Sequence, residues 1–295
     1  MRSPAGPSAP KDDEGESVVV EAGDVSLHTV QAGPADGPLA VLLHGFPEFW
    51  YAWNDQVRPL ATAGYRVVVP DQRGYNFSDR PDGVDAYRID ALADDVTGLV
   101  DALGRETAHL VGHDWGAAVA WWTALHDPEY VETLTAVNVP HPTVLADTLR
   151  RSWRQRLRSW YALFFQLPAL PERVARAGDW ALLVRTMHRT SLPGTFSPAE
   201  FDRYRAAWDQ PGAFEAMVNW YRALGRRRDE PRRTTVEVPT LVVWGCRDEF
   251  LARSMAHESV DHCRNGRVTM IEDATHWVQH EHPARVADLL LDQFA

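Results

Sequence analysis

The stretch Gly112-His113-Asp114-Trp115-Gly116, within LVGHDWGAAVAWW, sets two glycines around a carboxylate with the spacing of the sharp strand-to-helix turn that holds a nucleophile outward. Serine usually occupies such a turn, and aspartate changes the chemistry. A serine alkoxide attacking saturated carbon would leave an ether, which water does not readily cleave, whereas a carboxylate leaves an ester, which it does. With an ordinary pKa of about 3.9, Asp114 is ionised at neutral pH and needs no prior deprotonation. On the pentapeptide alone a helix N-cap, for which aspartate is favoured, explains Asp114 equally well.

The rest of the chain separates the two readings. A nucleophile in this turn is followed in sequence by an acid and then a histidine. Asp248 in TLVVWGCRDEF and His276 in MIEDATHWVQHEHP stand in that order, each after a predicted strand. Asp248 also fits a plain turn, and His276 competes with His280 and His282; those two precede Pro283 at what reads as the next helix start, which favours His276. His276 would activate water against the ester while Asp248 orients the imidazole. HGFPEFWYAW, His44 to Trp53, follows another strand, and the amides of Phe46 and Trp115 would form an oxyanion hole. A simple Gly-Pro turn also accounts for Gly45 and Pro47, and the sequence leaves open whether Phe46–Pro47 is cis. Displacement at saturated carbon needs a leaving group. A halide wants N–H donors, whereas an epoxide oxygen leaves as a strongly basic alkoxide and wants an acidic O–H. Tyr161 in SWYALFFQLPALPE and Tyr221 in FEAMVNWYRALG would supply it, though each taken alone reads more readily as a half-buried packing residue.

The elements that position these residues follow from the pattern of apolar runs. Strands are predicted at 18–23, 25–33, 39–45, 65–71, 109–114, 134–140, 240–245 and 267–273, with helices such as Ala91–Leu103 between them. Apolar strands alternating with helices indicate an α/β fold, a mostly parallel eight-stranded sheet covered on both faces. The gap from about Pro140 to Pro231, rich in Trp, Arg, Leu and Ala, reads as a helical insertion between two strands of that sheet. Its first stretch, RRSWRQRLRSWY, and its last, GRRRDEPRR, are basic; a nucleic-acid or membrane patch is the sharp reading, and a solvated helix face with a linker is the favoured one.

Composition narrows the function further. A chain of 295 residues with 45% hydrophobic residues suits one large domain, and a formal charge of −11 argues against a nucleic-acid partner. Cys246 and Cys263 are too few for a disulfide framework and read as reduced thiols without a catalytic role. Residues 1–16 are rich in Pro, Ser, Gly and acidic residues, lack the apolar stretch of a signal peptide, and read as a disordered tail. No run approaches the roughly 18 apolar residues of a membrane span, no histidine spacing suggests a metal, no cofactor is implied, and a cytoplasmic location is expected.

HGFPEFWYAW, PDQRGYNFSD, VGHDWGA, YALFFQLP, NWYRA, WGCRDEF and THWVQHEHP, in that order and spanning nearly all of the chain after the tail, resemble segments of the soluble epoxide hydrolases of the α/β-hydrolase fold. The resemblance implies residues 17–140 and 231–295 as the core, 141–230 as a helical cap, and hydrolysis of an epoxide to a vicinal diol through an ester on Asp114. It makes Asp248 the acid, His276 the base, and Tyr161 and Tyr221 the cap tyrosines that hydrogen-bond the epoxide oxygen. Glu48 takes a position that helps order the hydrolytic water. Trp50, Phe165 and Trp220, with Trp53, Phe164 and Trp208, suggest an aromatic pocket, although core positions fit most of them as well. A small-molecule epoxide and water are the implied partners, and a homo-oligomer is compatible with the sequence. A haloalkane or haloacetate dehalogenase shares the aspartate nucleophile and is the first alternative; a non-enzymatic small-molecule-binding protein on the same fold is the second. A serine esterase is excluded at this turn, which has no serine.

Overall fold

The computed structural model describes residues 15–224 and 232–295. Its eight strands are β1 Glu16–Ala22, β2 Val25–Ala32, β3 Leu39–Leu43, β4 Arg66–Pro70, β5 Ala108–His113, β6 Val131–Val137, β7 Thr240–Gly245 and β8 Gly266–Ile271. They form one sheet in the order β1-β2-β4-β3-β5-β6-β7-β8, antiparallel where β2 meets β1 and β4 and parallel elsewhere. Every residue of β3, β5 and β7 is buried. That is why these strands read as unbroken apolar runs: helices cover both of their faces. The edge strand β1 instead exposes several of its residues.

The core helices come first and last in the chain. Helices α1 (Asn54–Thr62), α2 (Ile89–Ala102) and α3 (Trp115–His126) follow strands β3, β4 and β5. Among the described residues, six helices then lie between β6 and β7: α4 Pro142–Arg151, α5 Trp153–Arg158, α6 Trp160–Phe164, α7 Leu170–Thr190, α8 Pro198–Trp208 and α9 Ala213–Ala223. Helix α7 is broken at Ala177–Trp180, where Gly178, Asp179 and Trp180 have positive φ. Helices α10 (Ser254–Val260), α11 (Val278–Glu281) and α12 (Pro283–Phe294) complete the core, with α12 packing on α1, and α2 on α3. No helix among the described residues is long and apolar enough to cross a membrane.

The insertion sits on the loops at the carboxyl ends of the strands. The indole N–H groups of Trp208 and Trp220 donate to the carbonyls of Pro47 and Arg73, and Gln155 bonds both the Phe250 carbonyl and the Ala252 amide. Strand order explains what lies beneath. From β3 the chain passes to β4 on one side and then to β5 on the other, so the loops leaving β3 and β5 diverge at a crevice, the usual ligand site of such sheets.

Some boundaries differ from the sequence reading. Glu16, placed in the tail, begins β1 through its pairing with Gln31, and residues 1–14 lie outside the described residues. Strand β6 starts at Val131 and not at 134, because exposed Glu132 interrupts the apolar pattern without interrupting the pairing, and it ends at Val137, before Asn138 takes a positive φ of 56°. Most of the basic stretch GRRRDEPRR also lies outside the described residues; its last two, Arg232 and Arg233, are exposed.

Candidate active site

Asp114 sits between β5 and α3 at φ 49°, ψ −123°, a conformation that a residue with a side chain adopts only when its surroundings impose it. The two flanking glycines impose it. A Cβ on Gly116 would lie 2.2 Å from the Leu43 carbonyl oxygen, and one on Gly112 would lie 2.3 Å from that of Gly116. Helix α3 thus opens directly against β3. Although Asp114 occupies the N-cap position of α3, its side chain makes no capping bond. One carboxylate oxygen instead accepts the Phe46 amide at 2.9 Å, and the other lies 3.5 Å from Nε2 of His276. The N-cap explanation of this residue therefore fails.

His276 and Asp248 come from the loops after β8 and β7, brought side by side by the pairing of those strands. Nδ1 of His276 is 2.8 Å from an Asp248 oxygen. The other Asp248 oxygen accepts the amides of Phe250 and Leu251 at 2.7 and 3.0 Å, which fixes the carboxylate's orientation. Burial alone would raise the Asp248 pKa, but His276 and the hydrogen bonds it receives hold it below the usual carboxylate range. Asp114 follows the same balance, with burial opposed by His276 and the Phe46 amide. Burial would lower the His276 pKa, yet the two carboxylates raise it to about 10.

Phe46 and Trp115 lie on either side of the nucleophile. The Phe46–Pro47 bond is cis. The Phe46 amide already points at the Asp114 carboxylate, and Trp115 is the first residue of α3, where an amide has no acceptor within its own helix.

A cavity of about 320 Å³ opens above Asp114 and His276, with Phe46, Tyr161, Phe165 and Tyr221 among its walls. Tyr161, on α6, and Tyr221, on α9, have ring centroids 5.9 Å apart. Burial first, and then the negative charge of Asp114, push both phenols above their ordinary pKa, so they remain protonated donors. The Trp115 ring stands edge-on to Tyr221 at 5.1 Å. The remaining wall is mostly apolar, with Met187, Phe250 and Trp277 among residues that the sequence reading did not select. Among the described residues no group of three His, Cys, Asp or Glu side chains is placed to hold a metal ion.

Other expected site residues fall elsewhere. Trp220 does not line the cavity: neighbouring positions on a helix face different ways, and with Tyr221 turned to the cavity, Trp220 packs on Trp115 and Tyr75 and bonds Arg73. Trp50 is also off the cavity, anchored by its amide to Asp71 and packed between Phe49 and Tyr51. Trp53 and Trp208 are wholly buried in the core, while Phe164 does line the cavity. Glu48 is buried and not in the cavity wall; its oxygens are engaged by His113, Gln279, His280 and Tyr204. Against the effect of burial, His280 and His113 hold its pKa far down. His280 is thus Glu48's partner, and His282 faces Asp273 at 3.4 Å.

Two supporting residues were missed. Asn138, just past β6, donates to Asp248 at 2.7 Å and accepts the Gly245 amide at 3.1 Å. Its signal was an asparagine closing an apolar strand, the residue type that tolerates positive φ. His113, beside the nucleophile in sequence, places its Nε2 2.8 Å from the His276 carbonyl oxygen, tying the Glu48 cluster to the base.

Residues 38–283 match the model of a family described as the alpha/beta hydrolase fold. The chain is 48% identical over 275 residues to the AB hydrolase superfamily protein YfhM of Bacillus subtilis, covering 92% of this chain and 96% of that one. It is 36% identical over 270 residues to epoxide hydrolase 4 of Homo sapiens, covering 90% and 74%. The structure of a Bacillus megaterium epoxide hydrolase in complex with an inhibitor superimposes with a TM-score of 0.86 at 27% identity, covering 94% of this chain and 99% of that one.

Proposed function

This chain belongs to the α/β-hydrolase fold family, as one of its epoxide hydrolases, and on that premise we propose that it opens the epoxide with Asp114, held by the groups built around that carboxylate. A carboxylate oxygen of Asp114 attacks an epoxide carbon and the ring C–O bond breaks. The departing oxygen takes a proton from Tyr161 or Tyr221, leaving an ester on Asp114. Ester formation removes the Asp114 charge, one of the two that hold a proton on His276. The imidazolium then gives its proton back to the tyrosinate and becomes a base. Neutral His276 takes a proton from water, which attacks the ester carbonyl while the Phe46 and Trp115 amides hold the oxyanion. Collapse expels the second diol oxygen, which takes the remaining proton of the entering water, and restores both the Asp114 carboxylate and the His276 imidazolium. Residues 141–230 act as the cap that carries the two phenols, with residues 17–140 and 231–295 as the core.

The observation that carries this reading is the convergence of the Phe46 amide and His276 on Asp114 beneath a cavity walled by two phenols. A phenyl-substituted epoxide turned over once in heavy-oxygen water, with enzyme in excess, tests it. The diol should carry ordinary oxygen, and the mass increase should be confined to the peptide containing Asp114. Heavy diol with an unchanged peptide would mean that water attacks the epoxide directly. A dehalogenase using the same aspartate is not favoured, since a halide calls for N–H donors where this cavity presents phenols; assaying a 1-haloalkane for halide release should show none.

A further inference from the structure

Eight of the eleven large hydrophobic side chains exposed among the described residues fall between positions 153 and 182. Trp153 and Leu157 are each 61% exposed on α5, Trp160 and Leu163 are 61% and 76% exposed on α6, and Leu182 is 46% exposed on α7. This surface is continuous with the cavity, because Leu157, Trp160 and Leu182 also form part of the cavity wall. Being both exposed and in the wall, these three side chains stand where the cavity opens to the surface. A soluble protein rarely concentrates its exposed apolar side chains in this way unless something covers them.

The charges on the same segment indicate what does. No acidic residue occurs between Asp147 and Glu172, while Arg150, Arg151, Arg154, Arg156 and Arg158 all lie there, in a chain whose formal charge is −11. Among the described residues, Arg150 and Arg151 pair with Asp147 and Glu258 at the surface, whereas Arg154, Arg156 and Arg158 are exposed and form no ion pair. Tryptophan and leucine interleaved with arginine suit the boundary of an anionic bilayer: the rings settle at the level of the headgroups, the aliphatic chains below them, and the guanidinium groups on the lipid phosphates. A second copy of this chain would set the same arginines against one another.

We propose that this face docks peripherally on an anionic phospholipid surface, with the mouth of the cavity against the bilayer. On the reading above, an apolar epoxide dissolved in the lipid would then enter the cavity without crossing water; the docking itself does not depend on that reading.

Vesicle sedimentation tests it with the whole chain. Sucrose-loaded vesicles of phosphatidylcholine mixed with phosphatidylglycerol should pellet the protein, those of phosphatidylcholine alone should not, and added salt should weaken the binding. Trp153→Ser with Leu163→Ser, neither in the cavity wall, should lower partitioning at least about tenfold, and Arg154→Gln with Arg156→Gln should remove the preference for the anionic lipid. Thermal melts like that of the unaltered protein would establish that the variants are folded. Failure to pellet with the anionic vesicles, equal pelleting with both lipids, or partitioning unchanged in the folded variants would overturn the proposal. So would sedimentation velocity showing a dimer that Trp153→Ser with Leu163→Ser splits into monomers, since the face would then be covered by a second copy. None of these readings requires turnover, so an inactive protein would leave the test intact.

Discussion

One imidazole stands between two carboxylates: Nε2 of His276 is 3.5 Å from Asp114 and Nδ1 is 2.8 Å from Asp248. With both aspartates ionised, the ring is held as an imidazolium, raised to about 10 against the effect of burial. It becomes a base only when one of its neighbours loses charge, and esterification of Asp114 does that. The order of the two chemical steps is thereby written into the electrostatics of the resting site.

His276→Gln should therefore permit attack and block release. Intact-mass analysis should show the mass of one epoxide added to the protein, with steady turnover reduced about a hundredfold to ten-thousandfold, as expected for loss of a general base. A variant that binds the epoxide but never becomes labelled would place His276 in the first step.

The raised pKa of His276 also makes a statement about stability. A group that holds its proton more tightly when folded stabilises the fold fully below its unfolded pKa of 6.5, and that contribution is lost as pH rises toward about 10. Urea unfolding at several pH values in that window should show the advantage of the unaltered protein over His276→Gln shrinking as pH increases. An advantage that stayed constant or grew would mean that the ring is neutral in the resting protein.

Tyr161→Phe and Tyr221→Phe should each slow alkylation of Asp114, by about 3 kcal/mol or a few hundredfold for loss of a donor to developing charge. The double variant should be folded and nearly inactive. Stopped-flow measurement of the alkylation phase separates this effect from hydrolysis, which should change little once the ester has formed.

Asn138→Gly keeps a residue that accepts a φ of 56° and removes the bond to buried Asp248, so it should cost about 2 kcal/mol of stability. Asn138→Ala should cost about 1 kcal/mol more, because alanine resists that backbone conformation. Equal losses in urea titrations of the two variants would show that the hydrogen bond alone matters.

Asp114, Asp248 and His276 were legible in position because each follows a strand whose apolar residues mark where its loop begins, fully buried for β5 and β7 and half-buried for the edge strand β8, and a parallel sheet brings such loops together at one edge. The sheet itself was legible for the same reason, strand by strand. What the sequence did not disclose depends on side-chain direction. Trp220 and Tyr221 are adjacent in a helix, and only packing against Trp115 and Tyr75 decides which of them faces the cavity. The hydrogen-bonded surroundings of Glu48 were hidden because its four partners come from widely separated stretches, ending at Tyr204 in the insertion and His280 in the core. Asn138 was hidden because its role lies in a turn that ends the apolar run early. Likewise the exposure of Trp153 and Leu163 follows from where α5 and α6 come to rest, which their composition does not state.

Tyr161 and Tyr221 both come from the single chain segment threaded between β6 and β7, whereas Phe46, Asp114, Asp248 and His276 all belong to loops of the sheet. In the proposed mechanism, recognition of the departing group and the machinery that clears the ester are thus carried on separate pieces of the chain. The segment can diverge, or be exchanged for another, and alter which bond is broken while the scaffold that regenerates the nucleophile stays as it is. A graft of the six helices between β6 and β7 is accordingly the economical route to new leaving-group chemistry in this protein.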